Sequence, residues 1–197
     1  MSEDHSTTGE IPGYSLEVEN NQNKRRVCTY VSTKINYRRM LTLEGLNNHL
    51  VIIDYEARAN EWRRVINIYR SFNPEGATAR EAFTKQLDIV KNSFNKNSML
   101  MGDFNLNENR KFDVNFAHAG LFEIFEEKLG QLDMIQMVMF DTWSRAGGND
   151  FRSSLLDHIY VKDTSLIKDI NQVKPCFGDH VMVIANIEGK KNAEKQY

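Results

Sequence analysis

Three short polar clusters interrupt apolar runs in the second half of the chain, and their residue types could do chemistry. The first is Gly-Asp-Phe-Asn at 102–105, which follows the apolar run 98–101. The second is Asp-His at 157–158, set inside an apolar segment. The third is Gly-Asp-His at 178–180, directly ahead of the apolar run 181–184. Polar loops at the ends of buried strands indicate a cleft, because such loops carry function on a rigid scaffold.

These clusters contain the groups that phosphoester hydrolysis uses. Asp103 and Asn105 lie two residues apart, so we expect them to point to the same side. Asp157 interrupts a hydrophobic strand and needs a partner, because a buried unpaired charge is costly. An Asp-His pair can orient an imidazole, and carboxylate oxygens can hold Mg²⁺, with Mn²⁺ as an alternative. Each cluster alone is typical of a turn or a surface pair. The prediction of a catalytic site therefore depends on the order of the three clusters, their separation and the strands that flank them.

The remaining pattern predicts the elements that position these clusters. Alternating apolar residues predict a hairpin of two strands, and continuous apolar runs predict buried strands. Apolar residues at helical spacing predict two helices. The strands are expected at 14–19, 26–32, 50–55, 62–69, 155–161 and 180–187, and the helices at 79–94 and 119–132. Runs of strands with two intervening helices indicate a layered α/β protein with sheets at its core.

Composition favours one ordinary globular domain. The chain has 197 residues, 41% hydrophobic and 26% charged. No apolar run approaches the ~18 residues of a membrane span, so no membrane partner is expected. The polar start of the chain is unlike a secretory signal. Cys28 and Cys176 belong to no Cys-x-x-Cys pair, which argues against a structural zinc site and suits a reducing compartment.

Charge is unevenly distributed along the chain. The net charge is −2, yet the segment 24–80 holds eleven Lys and Arg against five Asp and Glu, a local charge of +6. The rest of the chain therefore carries −8. A basic face of this kind could contact a phosphate backbone. The alternative is that these arginines lie on solvated strand faces.

Together, the blocks Met-Gly-Asp-Phe-Asn at 101–105, Ser-Leu-Leu-Asp-His-Ile-Tyr-Val at 154–161 and Gly-Asp-His at 178–180 resemble the last three motifs of the endonuclease/exonuclease/phosphatase superfamily. The resemblance implies a four-layered α/β sandwich, in which two packed, mostly antiparallel β-sheets are flanked by helices. It spans nearly the whole chain and is most specific in the second half.

Further motifs point to one branch of that superfamily. The run 65–70 resembles the strand that delivers a site tyrosine, and Ser-Glu at 2–3 resembles the block that delivers a metal-binding glutamate. Thr-Trp at 142–143, and the spacing between residues 11 and 27, are similar to the endonuclease domains of non-LTR retrotransposons.

The resemblance implies a role for each matching residue. Glu3 and Asp179 would bind Mg²⁺. Asp103 would orient or deprotonate the attacking water, and Asn105 would hold the scissile phosphate or belong to the metal shell.

The other matching residues would handle the phosphate. Asp157 would pair with His180, which would contact the phosphate and stabilise developing charge. Tyr69 would contact the phosphate as well. His158 is left outside the catalytic set, as a residue that packs beside the site.

The chain departs from the family pattern at its start. The family has a strand carrying an asparagine, a helix and a second strand before the glutamate, whereas here only Met1 and Ser2 precede Glu3. We therefore expect a domain over 1–188 that lacks this first strand-helix-strand unit, followed by a polar tail at 189–197. A missing central strand would leave unpaired backbone groups and an exposed apolar face. Gly178 stands where the family commonly has serine.

The functional expectation is a metal-dependent endonuclease that hydrolyses DNA phosphodiester bonds, as in target-site nicking by non-LTR retrotransposons. One alternative is a repair-type abasic nuclease or a phosphoesterase with the same catalytic core. Another is an inactive truncated remnant that acts at most as a binding surface. Access to target DNA implies a nuclear, intracellular enzyme, accompanied by a reverse transcriptase domain in the full-length element.

Overall fold

The computed structural model describes residues 10–20, 26–45, 48–71, 77–113, 119–147, 150–174 and 178–187. Glu3, Cys176 and the expected tail at 189–197 lie outside the described residues. The strands are β1 (Tyr14–Val18), β2 (Cys28–Ser32), β3 (Tyr37–Arg39), β4 (Leu50–Arg58), β5 (Glu61–Tyr69), β6 (Ser98–Asp103), β7 (Ile135–Gln136), β8 (Trp143–Gly147), β9 (Asp150–Ser154), β10 (Asp157–Val161), β11 (Ile167–Val173) and β12 (Met182–Ile187). The helices are α1 (Leu41–Glu44), α2 (Ala77–Ser93) and α3 (Ala119–Leu129).

A six-stranded sheet in the order β3-β4-β5-β6-β10-β7 forms the centre of the molecule. Its neighbours run antiparallel except β5 and β6, which are parallel and connected through α2. Three two-stranded sheets, β1-β2, β8-β9 and β11-β12, complete the described strands.

The strand alternation of the central sheet gives it two buried faces. On one face the side chains of Ile66 and Leu100 pack with Phe83 of α2 and Phe125 of α3. On the opposite face Ile159 and its neighbours pack against β11-β12, and a third cluster joins β4 to the hairpin β1-β2. Helices therefore cover one face of the central sheet, and further strands cover the other.

Most of the predicted elements are confirmed. Residues 14–18 and 28–32 form an antiparallel hairpin, and the two predicted helices are α2 and α3. The strands β3, β7, β8, β9 and β11 were not predicted from the pattern. β11 has the polar sequence Ile-Lys-Asp-Ile-Asn-Gln-Val, largely exposed, so it lacks the apolar run that marks a strand.

The observed architecture confirms the expected class, an α/β fold of packed, mostly antiparallel sheets with helices. An outer helical layer on the β11-β12 side is not present among the residues that the structure describes. Within the same residues, no helix combines the length and apolarity needed to cross a membrane.

Candidate active site

Three neighbouring strands bring polar side chains to one edge of the central sheet. Tyr69 is the last residue of β5, Asp103 the last of β6, and Asp157 the first of β10. Tyr69 is opposite Asp103 in the parallel pair, and Asp157 is opposite Asp103 in the antiparallel pair. Each of these residues is an even number of positions from an apolar residue of its own strand: Val65 in β5, Met99 in β6 and Ile159 in β10. These apolar residues pack on the strand-covered face of the sheet, so the polar residues lie on that face as well.

His180 reaches this edge from the segment that precedes β12. Its Nδ1 lies 2.8 Å from Oδ2 of Asp157, so the predicted pair is formed. The hydrogen bond to Asp157 raises the pKa of His180 above its usual value, although burial opposes the shift. The carboxylate thus holds the ring in place and favours its protonated form.

Asp103 is a half-buried carboxylate whose pKa lies above its usual value. Burial raises its pKa to about 6, and the charge of Asp157 acts in the same direction. Its Oδ1 accepts a hydrogen bond from the backbone N–H of Asn105 at 2.8 Å, and Oδ2 accepts one from the Asn105 side chain at 3.1 Å. A carboxyl group with a pKa near neutrality suits proton transfer at physiological pH.

Asn105 is a positioning residue for Asp103 in this arrangement. Its amide nitrogen also donates to the carbonyl of Arg70 at 2.7 Å, so both amide hydrogens have protein acceptors. The amide oxygen is the atom that remains for a cation or a water. A backbone φ of +48° at Asn105 turns the chain sharply after β6.

Two residues hold this turn against β5. The buried guanidinium of Arg70 donates to the carbonyls of Phe104 and Asn105, the latter at 2.7 Å. Gly102 lies inside β6, where a Cβ would stand 1.9 Å from the carbonyl oxygen of Ile68. The close approach of the two parallel strands therefore requires glycine. Sequence reasoning missed Arg70, which follows the predicted Tyr69 directly.

Thr142 positions both members of the Asp-His pair. It is fully buried, and its hydroxyl accepts hydrogen bonds from the backbone N–H groups of Leu156 at 3.0 Å and Asp157 at 2.9 Å. Its carbonyl accepts a hydrogen bond from Val181 at 2.7 Å. One residue thus fixes the backbone beside Asp157 and beside His180. The sequence marked Thr142 only through the family resemblance.

Asp179 adjoins the site at its exposed side. The indole Nε1 of Trp143 donates to Oδ2 of Asp179 at 2.7 Å, and this hydrogen bond lowers the pKa of Asp179. The backbone N–H of Ser144 donates to the Asp179 carbonyl at 2.8 Å, and Trp143 pairs with His180 in a β-bridge. The predicted residues Tyr69, Asp103, Asn105, Asp157, Asp179 and His180 therefore belong to one region, while Glu3 lies outside the described residues.

His158 belongs to the core and not to this edge. It is 1% exposed, with Nε2 2.9 Å from the carbonyl of Leu106 and Nδ1 2.8 Å from the hydroxyl of Tyr160. Burial lowers its pKa to about 4. A neutral ring with a hydrogen on Nε2 satisfies both contacts. Its omission from the predicted catalytic set agrees with this position.

The carboxylates at this edge of the central sheet could favour binding of a divalent cation. Asp103 and Asp157 are opposite each other, and their mutual repulsion contributes to the raised pKa of Asp103. Carboxylate and amide oxygens are the ligands that Mg²⁺ prefers. Within the described ranges, however, no group of three or more His, Cys, Asp or Glu side chains is placed to hold a metal ion. The donor chemistry fits a hard cation, and the described residues supply part of a ligand set.

The arginines of the basic segment divide into two groups. Several form ion pairs with carboxylates, and of these only Arg38 has an exposed side chain: Arg38 and Arg64 with Asp54, Arg39 with Glu17 and Glu44, and Arg63 with Glu61. Arg26 differs, because its guanidinium contacts Tyr69 at the site itself.

At the level of sequence, no family model matches the chain and no curated protein is similar to it. Solved structures are similar in fold. The endonuclease domain of TRAS1, a telomere-specific non-LTR retrotransposon, is 16% identical with a TM-score of 0.73, over 92% of this chain and 83% of that domain. An endonuclease/exonuclease/phosphatase family protein from Leptotrichia buccalis is 13% identical with a TM-score of 0.53, over 89% of this chain and 72% of that one. This chain has the endonuclease/exonuclease/phosphatase fold.

The same fold relates the chain to a conserved protein of unknown function from Enterococcus faecalis. That protein is 13% identical with a TM-score of 0.50, and the match covers 90% of this chain and 77% of that one. The resemblance inferred from the motifs is thus confirmed as a resemblance of fold. An endonuclease/exonuclease/phosphatase fold hosts more than one reaction, so the activity has to be argued from the site.

Proposed function

We propose that this chain is a metal-dependent phosphodiesterase that cleaves DNA as an endonuclease. The observation that carries the proposal is the pairing of two groups at one sheet edge. Asp103 is a half-buried carboxylate with a pKa of about 6, and His180 is an imidazole whose pKa is raised by Asp157. One group can accept a proton near neutral pH, and the other can keep a positive charge for the phosphate.

The side chains divide the work of hydrolysis. Asp103, held by Asn105, accepts a proton from the attacking water. His180 has its Nδ1 on Asp157, so its Nε2–H donates to a phosphate oxygen and stabilises the charge that develops there. The hydroxyl of Tyr69 donates to the same phosphate group.

A divalent cation belongs to this proposal as a separate component. Glu3 and Asp179 would hold Mg²⁺, which would screen phosphate charge and stabilise the leaving oxygen. Its support is the hard oxygen donors of the site and the repulsion between the Asp103 and Asp157 carboxylates, which contributes to the raised pKa of Asp103.

We propose DNA as the substrate because of the similarity in fold to a retrotransposon endonuclease domain. The solved structure with a TM-score of 0.73 is the endonuclease domain of TRAS1, a telomere-specific non-LTR retrotransposon. For this chain we propose a nuclear endonuclease that nicks target DNA and acts with a reverse transcriptase domain.

Three substrates separate the endonuclease from its alternatives. Purified chain with Mg²⁺ would be given an intact duplex, the same duplex with one abasic site, and p-nitrophenyl phosphate. We expect strand cleavage of the intact duplex with a 3′ hydroxyl that a DNA polymerase extends. Cleavage only at the abasic site would establish a repair-type nuclease, and activity on the monoester alone would establish a phosphatase. A folded chain inactive on all three would support the inactive remnant.

A further inference from the structure

A buried carboxylate outside the predicted set organises the rim of the site. Glu19 follows β1, and its side chain is 1% exposed. Its Oε1 accepts hydrogen bonds from the backbone N–H groups of Arg26 and Val27, and its Oε2 lies 2.7 Å from Nδ1 of His49. A buried charge is tolerated only when it is paired and hydrogen-bonded, so these contacts fix Arg26 and His49 in place.

Both of these residues contact the site tyrosine. The guanidinium carbon of Arg26 lies 5.5 Å from the centre of the Tyr69 ring, and Nη1 is 3.4 Å from its hydroxyl. The His49 ring meets the Tyr69 ring edge to face at 6.4 Å, and the His49 carbonyl accepts a hydrogen bond from the Tyr69 backbone at 2.9 Å. Arg26 is nevertheless solvent-exposed, so it has guanidinium donors to offer a ligand.

The position of Arg26 relative to the catalytic groups defines what it could bind. One edge of the central sheet carries Tyr69 on β5, Asp103 on β6 and Asp157 on β10. His49 lies at the same edge, immediately before the adjacent strand β4. Neighbouring strands are about 4.8 Å apart, so the row from Asp157 to His49 spans about 14 Å. Arg26 lies just before β2, which packs on β4 and β5, so it approaches Tyr69 from the side of His49 and β4. A substrate with a second phosphate on that side would contact Arg26 while its scissile phosphate lies between Asp103 and His180.

We propose that Arg26, held against Tyr69 by Glu19 and His49, binds a phosphate flanking the scissile one, and that the substrate is therefore a polynucleotide strand. This inference rests on the proposed phosphodiesterase function. A guanidinium forms two parallel hydrogen bonds to phosphate oxygens, which a point charge does not. The rim residue thus selects polymeric diesters over small phosphoesters.

Binding of a fluorescent duplex in EDTA, as a function of salt, tests the inference without requiring catalysis. Arg26→Ala is expected to weaken binding roughly tenfold at low salt and to reduce the slope of log affinity against log salt by about 0.9. Arg26→Lys keeps the charge, so it should restore the slope but not the full affinity. The matched control is Arg58→Ala, since Arg58 is 46% exposed at the other end of β4, about 30 Å away.

Catalysis provides the second measurement. With Mg²⁺, we expect Arg26→Ala to lose about tenfold more kcat/KM on duplex DNA than on bis-p-nitrophenyl phosphate, a diester with a single phosphate. Equal salt slopes for Arg26→Ala and Arg58→Ala would overturn the inference, as would equal losses on both substrates. If wild type binds and cleaves DNA and Arg26→Ala does so equally well, only the proposed phosphate contact of Arg26 is refuted. Wild type that neither binds nor cleaves DNA refutes the proposed function and the inference with it.

Discussion

Nδ1 of His180 and Oδ2 of Asp157 lie 2.8 Å apart, although 23 residues separate them in sequence. β10 carries the carboxylate and the segment just before β12 carries the imidazole, so the pair links the central sheet to the strands that cover it. This hydrogen bond is the largest cause of the raised pKa of His180. The pair is therefore both a structural link and the source of positive charge at the site.

Replacing Asp157 by asparagine should change the pH dependence of activity. The protonated form of His180 is lost as pH rises through its pKa, and Asp157 raises that pKa. Asp157→Asn should therefore shift the alkaline limb of the kcat/KM profile to lower pH and reduce kcat on the order of 10²-fold. The exposed Asp163→Asn serves as control. An alkaline limb that does not move in Asp157→Asn would show that His180 does not act as a cation.

Thr142→Val should damage stability and activity together. Valine keeps the shape of the side chain but leaves the N–H groups of Leu156 and Asp157 without their acceptor. We expect a loss of about 1–3 kcal/mol in the free energy of unfolding, measured with urea. kcat should fall because the Asp157 backbone is released. Thr142→Ser keeps the hydroxyl and should recover most of both, and the account of Thr142 is wrong if serine and valine behave alike.

Gly102→Ala should disrupt the junction of β5 and β6. The added methyl would stand 1.9 Å from the Ile68 carbonyl oxygen, at a φ of +139°. The expected cost exceeds about 3 kcal/mol, because overpacking and backbone strain add. Gly13→Ala provides the comparison, since its φ is +84° with no atom within 4 Å of the added methyl. That change should cost about 1 kcal/mol. Equal thermal stability of the two variants would contradict the close strand contact.

His158 should make the protein less stable in mild acid. Burial lowers its pKa to about 4 in the folded state, below the usual 6.5. Between these values the unfolded chain binds the proton and the folded chain does not, so stability is full above pH 6.5 and falls toward pH 4. This contribution has a slope of about 1.4 kcal/mol per pH unit.

The raised pKa of Asp103 acts in the opposite direction over an overlapping range, so the difference between variants isolates His158. The free energy of unfolding of wild type minus that of His158→Gln should fall as pH drops from 6.5 toward 4, because only wild type loses the His158 contribution. Parallel curves for the two proteins would mean that His158 is not buried in a neutral form.

The sequence allowed Asp103, Asp157 and His180 to be located because each ends or interrupts an apolar run. Strand ends meet at sheet edges, so a pattern of buried strands already carries information about which polar groups converge. The helices α2 and α3 could also be predicted, because the spacing of apolar residues along a helix is visible in a short stretch of sequence.

The supporting residues could not be found in this way. Thr142 acts on a backbone segment fourteen residues on, and Glu19 pairs with His49 thirty residues on. Arg70 is buried by contacts with the 103–105 turn, although its sequence context suggested one more surface arginine. Such contacts depend on strand order and register, which the one-dimensional pattern does not fix.

Plasmid nicking tests the central claim most directly. The purified chain would be incubated with supercoiled DNA in Mg²⁺ or EDTA, beside Asp103→Asn and the exposed helix variant Asp88→Asn, whose carboxylate is 46% exposed. The account predicts Mg²⁺-dependent nicking by wild type and Asp88→Asn, and loss by more than 10²-fold in a folded Asp103→Asn. Nicking by Asp103→Asn at the wild-type rate, or no nicking by the folded wild-type chain, would contradict it.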